Sequence, residues 1–328
     1  MERCMLLRLP NELLMTLIEY VDSPGHAALA QTCRALNVLT TPYLYKNANI
    51  QLGKSNEFVR TMKTKYADLV RHLSVVIEDK RPNISPCRIV PCLAQLENLE
   101  SLQLVGGYWM WNDKGENWYT LEKLLWEYFE RASLKQPTES RLSRSLRSLT
   151  LDRVERNGQA AFLEESCIFI IPQLHDLTLR GFMLEEGDAE VDVQFERQTE
   201  LKSLRIERSS VSFPALRKAL LAPRALRYLS ICHLDCYRHH EINDGEINHA
   251  TVAEFVDALL SHRESLEEIK LVVDEDDNDG YSPEVSTIND PSFRTYATQL
   301  PALKRWLGCD EFTLKDYLDP RGIYERTG

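Results

Sequence analysis

Cysteine and histidine gather most densely at Cys232-His233-Leu234-Asp235-Cys236, followed by His239 and His240. Thiolate and imidazole are ligand types that zinc prefers. No second cysteine pair lies nearby, however, and the spacing is too irregular for a closed site. The segment reads as the end of a strand followed by a polar loop, with no metal. Asp274-Glu275-Asp276-Asp277-Asn278-Asp279-Gly280 resembles a calcium loop at first sight. With Gly280 at the sixth loop position the twelfth falls on Ser286, where a bidentate glutamate is required. The run therefore reads as a solvated acidic insertion. No Gly-x-Ser-x-Gly elbow, phosphate-binding loop or dinucleotide fingerprint occurs. The expectation is a protein that is not an enzyme and carries no cofactor.

The most aromatic stretch is Gly106-Gly107-Tyr108-Trp109-Met110-Trp111, then Trp118-Tyr119, with three of the five tryptophans. Two glycines leaving a strand permit a sharp turn. Trp109 and Trp111 are candidates for partner contact, since Trp and Tyr are enriched at binding hot spots. Burial of these rings against the rest of the chain is the competing role.

Such residues need a scaffold, and from residue 70 onward one pattern returns. An aliphatic residue is followed three positions on by Leu or Ile, and two further on by another aliphatic. It appears as Val70/Leu73/Val75, Leu99/Leu102/Leu104, Leu146/Leu149/Leu151 and Leu174/Leu177/Leu179. Leu201/Leu204/Ile206, Leu226/Leu229/Ile231 and Leu266/Ile269/Leu271 continue it, and Leu303/Trp306 is a degenerate copy. Successive starts are 29, 47, 28, 27, 25, 40 and 37 residues apart. Alternation within each unit predicts a strand with its Leu side chains inward. Leu121–Ala132, Ser212–Leu221 and Thr251–His262 have helical character between strands.

This pattern resembles irregular leucine-rich repeats, which implies a stacked solenoid with a curved parallel sheet. The family's Asn or Cys after the last aliphatic is missing, at Gly107, Val154, Phe182, Ser209 and Leu234. No side-chain ladder is therefore expected at the turns. A doubly wound α/β domain is the alternative, but its strands would be fuller Val/Ile runs.

Between the last two aliphatic positions, side chains must point away from the core. Gln103, Thr150, Thr178, Arg205, Ser230 and Lys270 form that stripe. Arg180 and Arg205, from neighbouring repeats, are expected to lie close together, where a carboxylate or phosphate could bridge them. Asp152 and Glu207 could instead neutralise them. Gln103, Arg180, Arg205, Lys270, Trp109 and Trp111 are thus the candidate substrate-binding residues.

At the other end, Leu9-Pro10-Asn11-Glu12-Leu13-Leu14 opens a helix. Pro10 suits its first position, and Glu12 sits near the positive end of the helix dipole. Leu9, Leu13, Leu17 and Val21 recur every four residues, with Leu14 and Ile18 beside them. Asp22-Ser23-Pro24-Gly25 breaks the helix, with Ser23 read as the next cap. Leu29, Cys33 and Leu36 carry the pattern into a third helix expected to end before Pro42. Three such short helices cannot bury all this apolar surface alone.

The layout is similar to an F-box, the module that docks proteins onto the Skp adaptor of a cullin–RING ubiquitin ligase. The resemblance covers about residues 5–45 and departs at Thr32 and Leu36, where the family usually has Val and an aromatic. It implies that Leu9, Pro10, Leu13, Leu14, Leu17, Val21, Leu29 and Cys33 form the module or meet the adaptor.

The expected organisation is α/β, with an F-box at 1–45, a linker or capping helix at 46–69, repeats at 70–310 and a tail at 311–328. The 328 residues are 43% hydrophobic and 27% charged, with a formal charge of −11. That balance gives no reason to expect a nucleic-acid partner. The longest purely aliphatic-aromatic run, Ile168–Ile171, is far short of a membrane span. Cys4-Met5-Leu6-Leu7 is too short an apolar run for a secretory signal. Eight irregularly spaced cysteines read as reduced thiols, as in the cytoplasm or nucleus. The expected function is substrate recognition within a Skp–cullin–F-box ligase. The alternative is an interaction scaffold whose helices only cap the solenoid.

Overall fold

The computed structural model of the protein describes residues 8–51, 56–62, 66–77, 89–106, 116–133, 142–152, 161–162, 166–184, 196–211, 213–232, 257–272 and 299–307. Three helices come first, α1 (Asn11–Glu19), α2 (Ser23–Thr32) and α3 (Arg34–Lys46). The cap of α2 is Asp22 rather than Ser23: its carboxylate accepts the Gly25 N–H at 2.9 Å. A carboxylate there also meets the helix dipole. Contrary to expectation, α3 runs through Pro42 to Lys46. The missing N–H would have served the Val38 carbonyl, and both residues are exposed, so water can replace that bond.

Among the described residues the main sheet has nine parallel strands in chain order. They are β1 (Asn47–Gln51), β2 (His72–Ile77), β3 (Ser101–Gly106), β4 (Ser148–Asp152), β6 (Asp176–Arg180), β8 (Ser203–Glu207), β10 (Tyr228–Cys232), β11 (Glu268–Val272) and β12 (Arg305–Leu307). A smaller parallel sheet holds β5 (Ala161–Phe162), β7 (Phe182–Leu184) and β9 (Ser210–Val211). Helices α4 (Asn56–Thr61), α5 (Ile89–Leu93), α6 (Glu116–Ser133), α7 (Leu142–Ser145) and α8 (Phe213–Leu221) lie in the connections. The Ser166–Ile170 segment is a 3-10 helix, and residues 257–260 form a helical turn. Among the described strands the order never reverses, so they contain no switch point of a doubly wound sheet.

Register follows the aliphatic pattern. Leu73, Leu102, Leu149, Leu177, Leu204, Leu229 and Ile269 stand opposite one another across seven strands and are buried. Val75, Leu104, Leu151, Leu179, Ile206 and Ile231 make a second buried row, and the leading aliphatics from Val70 to Leu303 are buried as well. Phe129 of α6, Cys167 to Phe169, Leu216 and Leu220 of α8, and Leu259 join the same core. Each fully buried Leu of this kind contributes roughly 1.5–3 kcal/mol relative to exposure.

The segment read as a linker contains a strand. Asn47–Gln51 pairs with β2, placing Ile50 beside Val75. Only Ala48 and Ile50 face the core from it, too few apolar residues to announce a strand. Val59 and Met62 of the following segment are buried, and Phe58 and Tyr66 pack against the same core.

A main-chain ladder joins successive units where the strands begin. The Arg71 carbonyl accepts the Glu100 and Ser101 N–H groups at 2.7 and 3.0 Å. Glu100, Arg147, His175, Lys202, Arg227 and Glu267 repeat the arrangement, each toward the next strand. At the strand ends Ser209 adds a side-chain link between two units. Ser209 Oγ accepts the Phe182 N–H at 3.1 Å and donates to the Glu207 carbonyl at 2.9 Å. Gly106 and Gly181 leave β3 and β6 with φ of 97° and 71°, values that glycine adopts without strain.

Candidate functional site

The N-terminal helices divide their apolar residues between inside and outside. Leu14 and Ile18 of α1 and Leu36 of α3 are buried, together with His26 and Thr40. This small interior is separate from the core of the sheet. Polar bonds tie it together. His26 Nε2 is 2.8 Å from the Ile18 carbonyl, and the His26 and Tyr43 rings are 5.7 Å apart. The Tyr43 hydroxyl donates to Glu19 Oε1 at 3.3 Å. Burial and the Glu19 carboxylate both raise the pKa of that hydroxyl. Thr40 Oγ1 donates to the Leu36 carbonyl at 2.7 Å. Helix α3 packs on β1, and Tyr45 stacks on Tyr66 at 4.4 Å between ring centres.

Outside, Leu13 is 52% exposed, Leu17 47% and Tyr20 86%. With exposed Pro10, these residues are spaced by three, four and three, which aligns them along one face of α1. Leu9, Val21, Leu29 and Cys33 are half-buried. Two of the residues singled out in the sequence serve the helical unit itself. Leu14 belongs to the interior and presents no surface to a partner. Cys33 caps α3, its Sγ accepting the Leu36 N–H at 3.5 Å. Tyr20 and Val38, also exposed, were missed, although Tyr20 follows Leu17 at helical spacing. The departure at Leu36 falls inside the helical unit, whereas Thr32 is exposed.

On the sheet, Gln103, Thr150, Thr178, Arg205, Ser230 and Lys270 do lie in one row across six strands. Arg205 is exposed, and its guanidinium lies 4.9 Å from the centre of the Tyr228 ring. That contact needs the cation near the ring face and was not legible in the spacing. Arg180 is not available as half of an anion clamp. Its Nε donates to Glu207 Oε2 at 2.6 Å and its Nη1 to Asp152 Oδ2 at 3.2 Å. These carboxylates, Glu207 first, hold the guanidinium proton more tightly than usual. The register explains the outcome: Asp152, Arg180 and Glu207 are direct neighbours on adjacent strands. Arg205 lies one pleat away, opposite Thr178.

Trp109, Trp111, the residues from His233 to His240 and the acidic run at 274–280 lie outside the described residues. Cys232 ends β10, opposite Glu207 and Val272. Among the described residues no group of three or more His, Cys, Asp or Glu side chains could hold a metal ion, and no helix is long and apolar enough to cross a membrane. No family model and no curated protein matches the chain.

Proposed function

We propose that the chain is the substrate-recognition subunit of a Skp–cullin–F-box ubiquitin ligase. The N-terminal helices are the F-box, and the sheet with its connections is a leucine-rich-repeat solenoid that presents substrate. Such a subunit acts in the cytoplasm or nucleus without a catalytic residue of its own. It raises the effective concentration of substrate near the ubiquitin-charged enzyme.

The observation that carries this reading is the stripe Pro10, Leu13, Leu17 and Tyr20. It is apolar, aligned and exposed, on a helical unit whose own interior uses other residues. A solvent-facing stripe of this kind marks a surface that a partner covers. The in-register parallel strands and their main-chain ladder support the solenoid. Arg205, Lys270 and Gln103, in the row whose member Ser230 is buried, are the substrate-facing residues of this proposal, together with Trp109 and Trp111, which lie outside the described residues.

Direct binding of the purified chain to the Skp adaptor, measured by calorimetry, tests the proposal. Saturable binding that disappears in Leu13→Ala/Leu17→Ala supports it, and no binding by the wild-type chain overturns it. A second reading, a scaffold whose helices only cap the sheet, has the packing of α3 on β1 in its favour. It predicts a loss of stability in the same double variant, with no adaptor bound at any concentration.

A further inference from the structure

We propose that a cavity at the turns preceding β8, β10 and β11 binds a small organic phosphate. The inference is independent of the ubiquitin-ligase reading. The cavity has a volume of about 550 Å³ and is lined in part by Arg197, Arg224, Arg263, Ser261, Glu264 and Gln299. That size suits a small organic ligand and far exceeds a bare oxyanion.

Its charge runs against that of the chain, which is −11 overall. Among the described residues three guanidinium groups line the cavity, and described carboxylates neutralise them only in part. Arg224 donates from Nη1 to Glu200 Oε1 at 3.0 Å and from Nε to the Arg197 carbonyl at 3.1 Å. Arg263 meets the adjacent Glu264 at 3.1 Å, with both side chains more than half exposed. Water and salt screen such a pair strongly. Arg197 donates from Nη2 to the Ser261 carbonyl at 2.7 Å and forms no ion pair with a described residue. Arginine forks match the oxygens of a phosphate better than lysine does, because two N–H groups engage at once.

The backbone adds a second observation. Arg197 has φ of 53°, in the left-handed region that L residues seldom adopt. Its N–H donates to the Leu221 carbonyl at 2.9 Å, which pins the turn against the end of α8. Glycine would hold that turn without strain. An arginine there places a guanidinium at the cavity despite the strain, and strained residues cluster at ligand clamps. The wall behind it is already built. His262 is buried, donates from Nε2 to the Leu220 carbonyl at 2.6 Å and accepts the Leu226 N–H on Nδ1 at 3.3 Å.

The test uses the full chain and two probes, phenyl phosphate and inorganic phosphate, against sodium chloride of equal ionic strength. Titration calorimetry and melting temperature are read for wild type, Arg197→Gly, Arg263→Gln and Arg71→Gln. Wild type is expected to bind phenyl phosphate saturably and more tightly than inorganic phosphate. Arg197→Gly should weaken that binding at least about tenfold, the scale of one lost charge-assisted bond. Its melting temperature in chloride should hold or rise, because the left-handed turn is relieved. Arg263→Gln should weaken binding in the same direction, while Arg71→Gln, at the other end of the sheet, binds as wild type. Absence of saturable phenyl phosphate binding by wild type overturns the proposal. So does unchanged affinity in both Arg197→Gly and Arg263→Gln.

Discussion

Leucine meets two opposite fates in the two halves of this molecule. In the N-terminal helices Leu13 and Leu17 are about half exposed, whereas Leu102, Leu149, Leu177, Leu204 and Leu229 in the sheet are fully buried. The difference lies in what each unit has for neighbours. Every strand between the edges of the main sheet has a parallel partner on both sides, in matching register, so the aliphatic rows close on one another. The helices of α1 to α3 enclose only Leu14, Ile18 and Leu36, and they complete that interior with His26 and Thr40. A unit of about forty residues has too little volume to bury a wide apolar stripe. What it cannot bury stays outside. A stacked array has no such limit, because each added unit covers the face of the one before.

The largest expected effect separates these two environments directly. Leu177→Ala should cost about 2–5 kcal/mol, since a fully buried leucine leaves a cavity among fixed neighbours. Leu13→Ala should change stability by no more than about 0.5 kcal/mol, as surface substitutions do. Urea denaturation of the two variants measures both, and equal costs would erase the distinction between the regions.

Next in size is the effect on binding. Leu13→Ala/Leu17→Ala should weaken capture of the Skp adaptor by about tenfold or more, the scale of interface anchors. Its urea midpoint should stay near that of wild type. A matched fall in affinity and stability would instead assign these side chains to packing.

A third test lies within the sheet half. Burial pushes the His262 pKa below its ordinary 6.5, and the nearby Arg197 adds to the shift, while the bond to the Leu220 carbonyl opposes it. The unfolded chain therefore takes up a proton near pH 6.5 that the folded protein resists. Stability from this site is complete above that value and declines as pH falls toward the lower folded pKa. Partly buried His175, between Lys202 and Arg147, shifts in the same direction. Denaturation midpoints should thus fall from pH 7 to pH 5, and His262→Gln should show a shallower fall from a lower start. An acid slope identical in the two proteins would remove His262 from the account.

The smallest effect concerns Arg180. Its side chain is 38% exposed, so solvent screens both its ion pairs. Arg180→Ala should cost about 1 kcal/mol or less, with the difference shrinking as salt is raised. A larger, salt-independent loss in urea melts would mean that Asp152 and Glu207 depend on this guanidinium far more than their exposure suggests.

Much of the sheet was legible because strand periodicity is local. Leucines three and five residues after each start mark a strand, and seven such marks produced seven of the nine strands of the main sheet, with Trp306 marking the last. The missed strand, Asn47–Gln51, has a single large aliphatic, Ile50, and is held by pairing with β2 rather than by its own pattern. Pro42 misled for the converse reason: a proline at the surface of a helix loses one bond to water rather than breaking the turn. For the proposed sites, residue type and helical spacing were enough to nominate Leu13 and Leu17. They could not separate these two from Leu14, because a stripe does not say how much of its width the neighbouring helices cover.

The linear chain determined the inward rows of the sheet and the order of its strands, since both follow from alternation and from each unit's need for the next. Only the tertiary structure decided which charged groups meet. Arg180 is bound to Asp152 and Glu207, which are 28 and 27 residues away in the chain. Arg197 reaches the turn at Ser261 across 64 residues. Such pairings depend on a few ångströms of register and on the path of turns, quantities that no local pattern of residue types encodes.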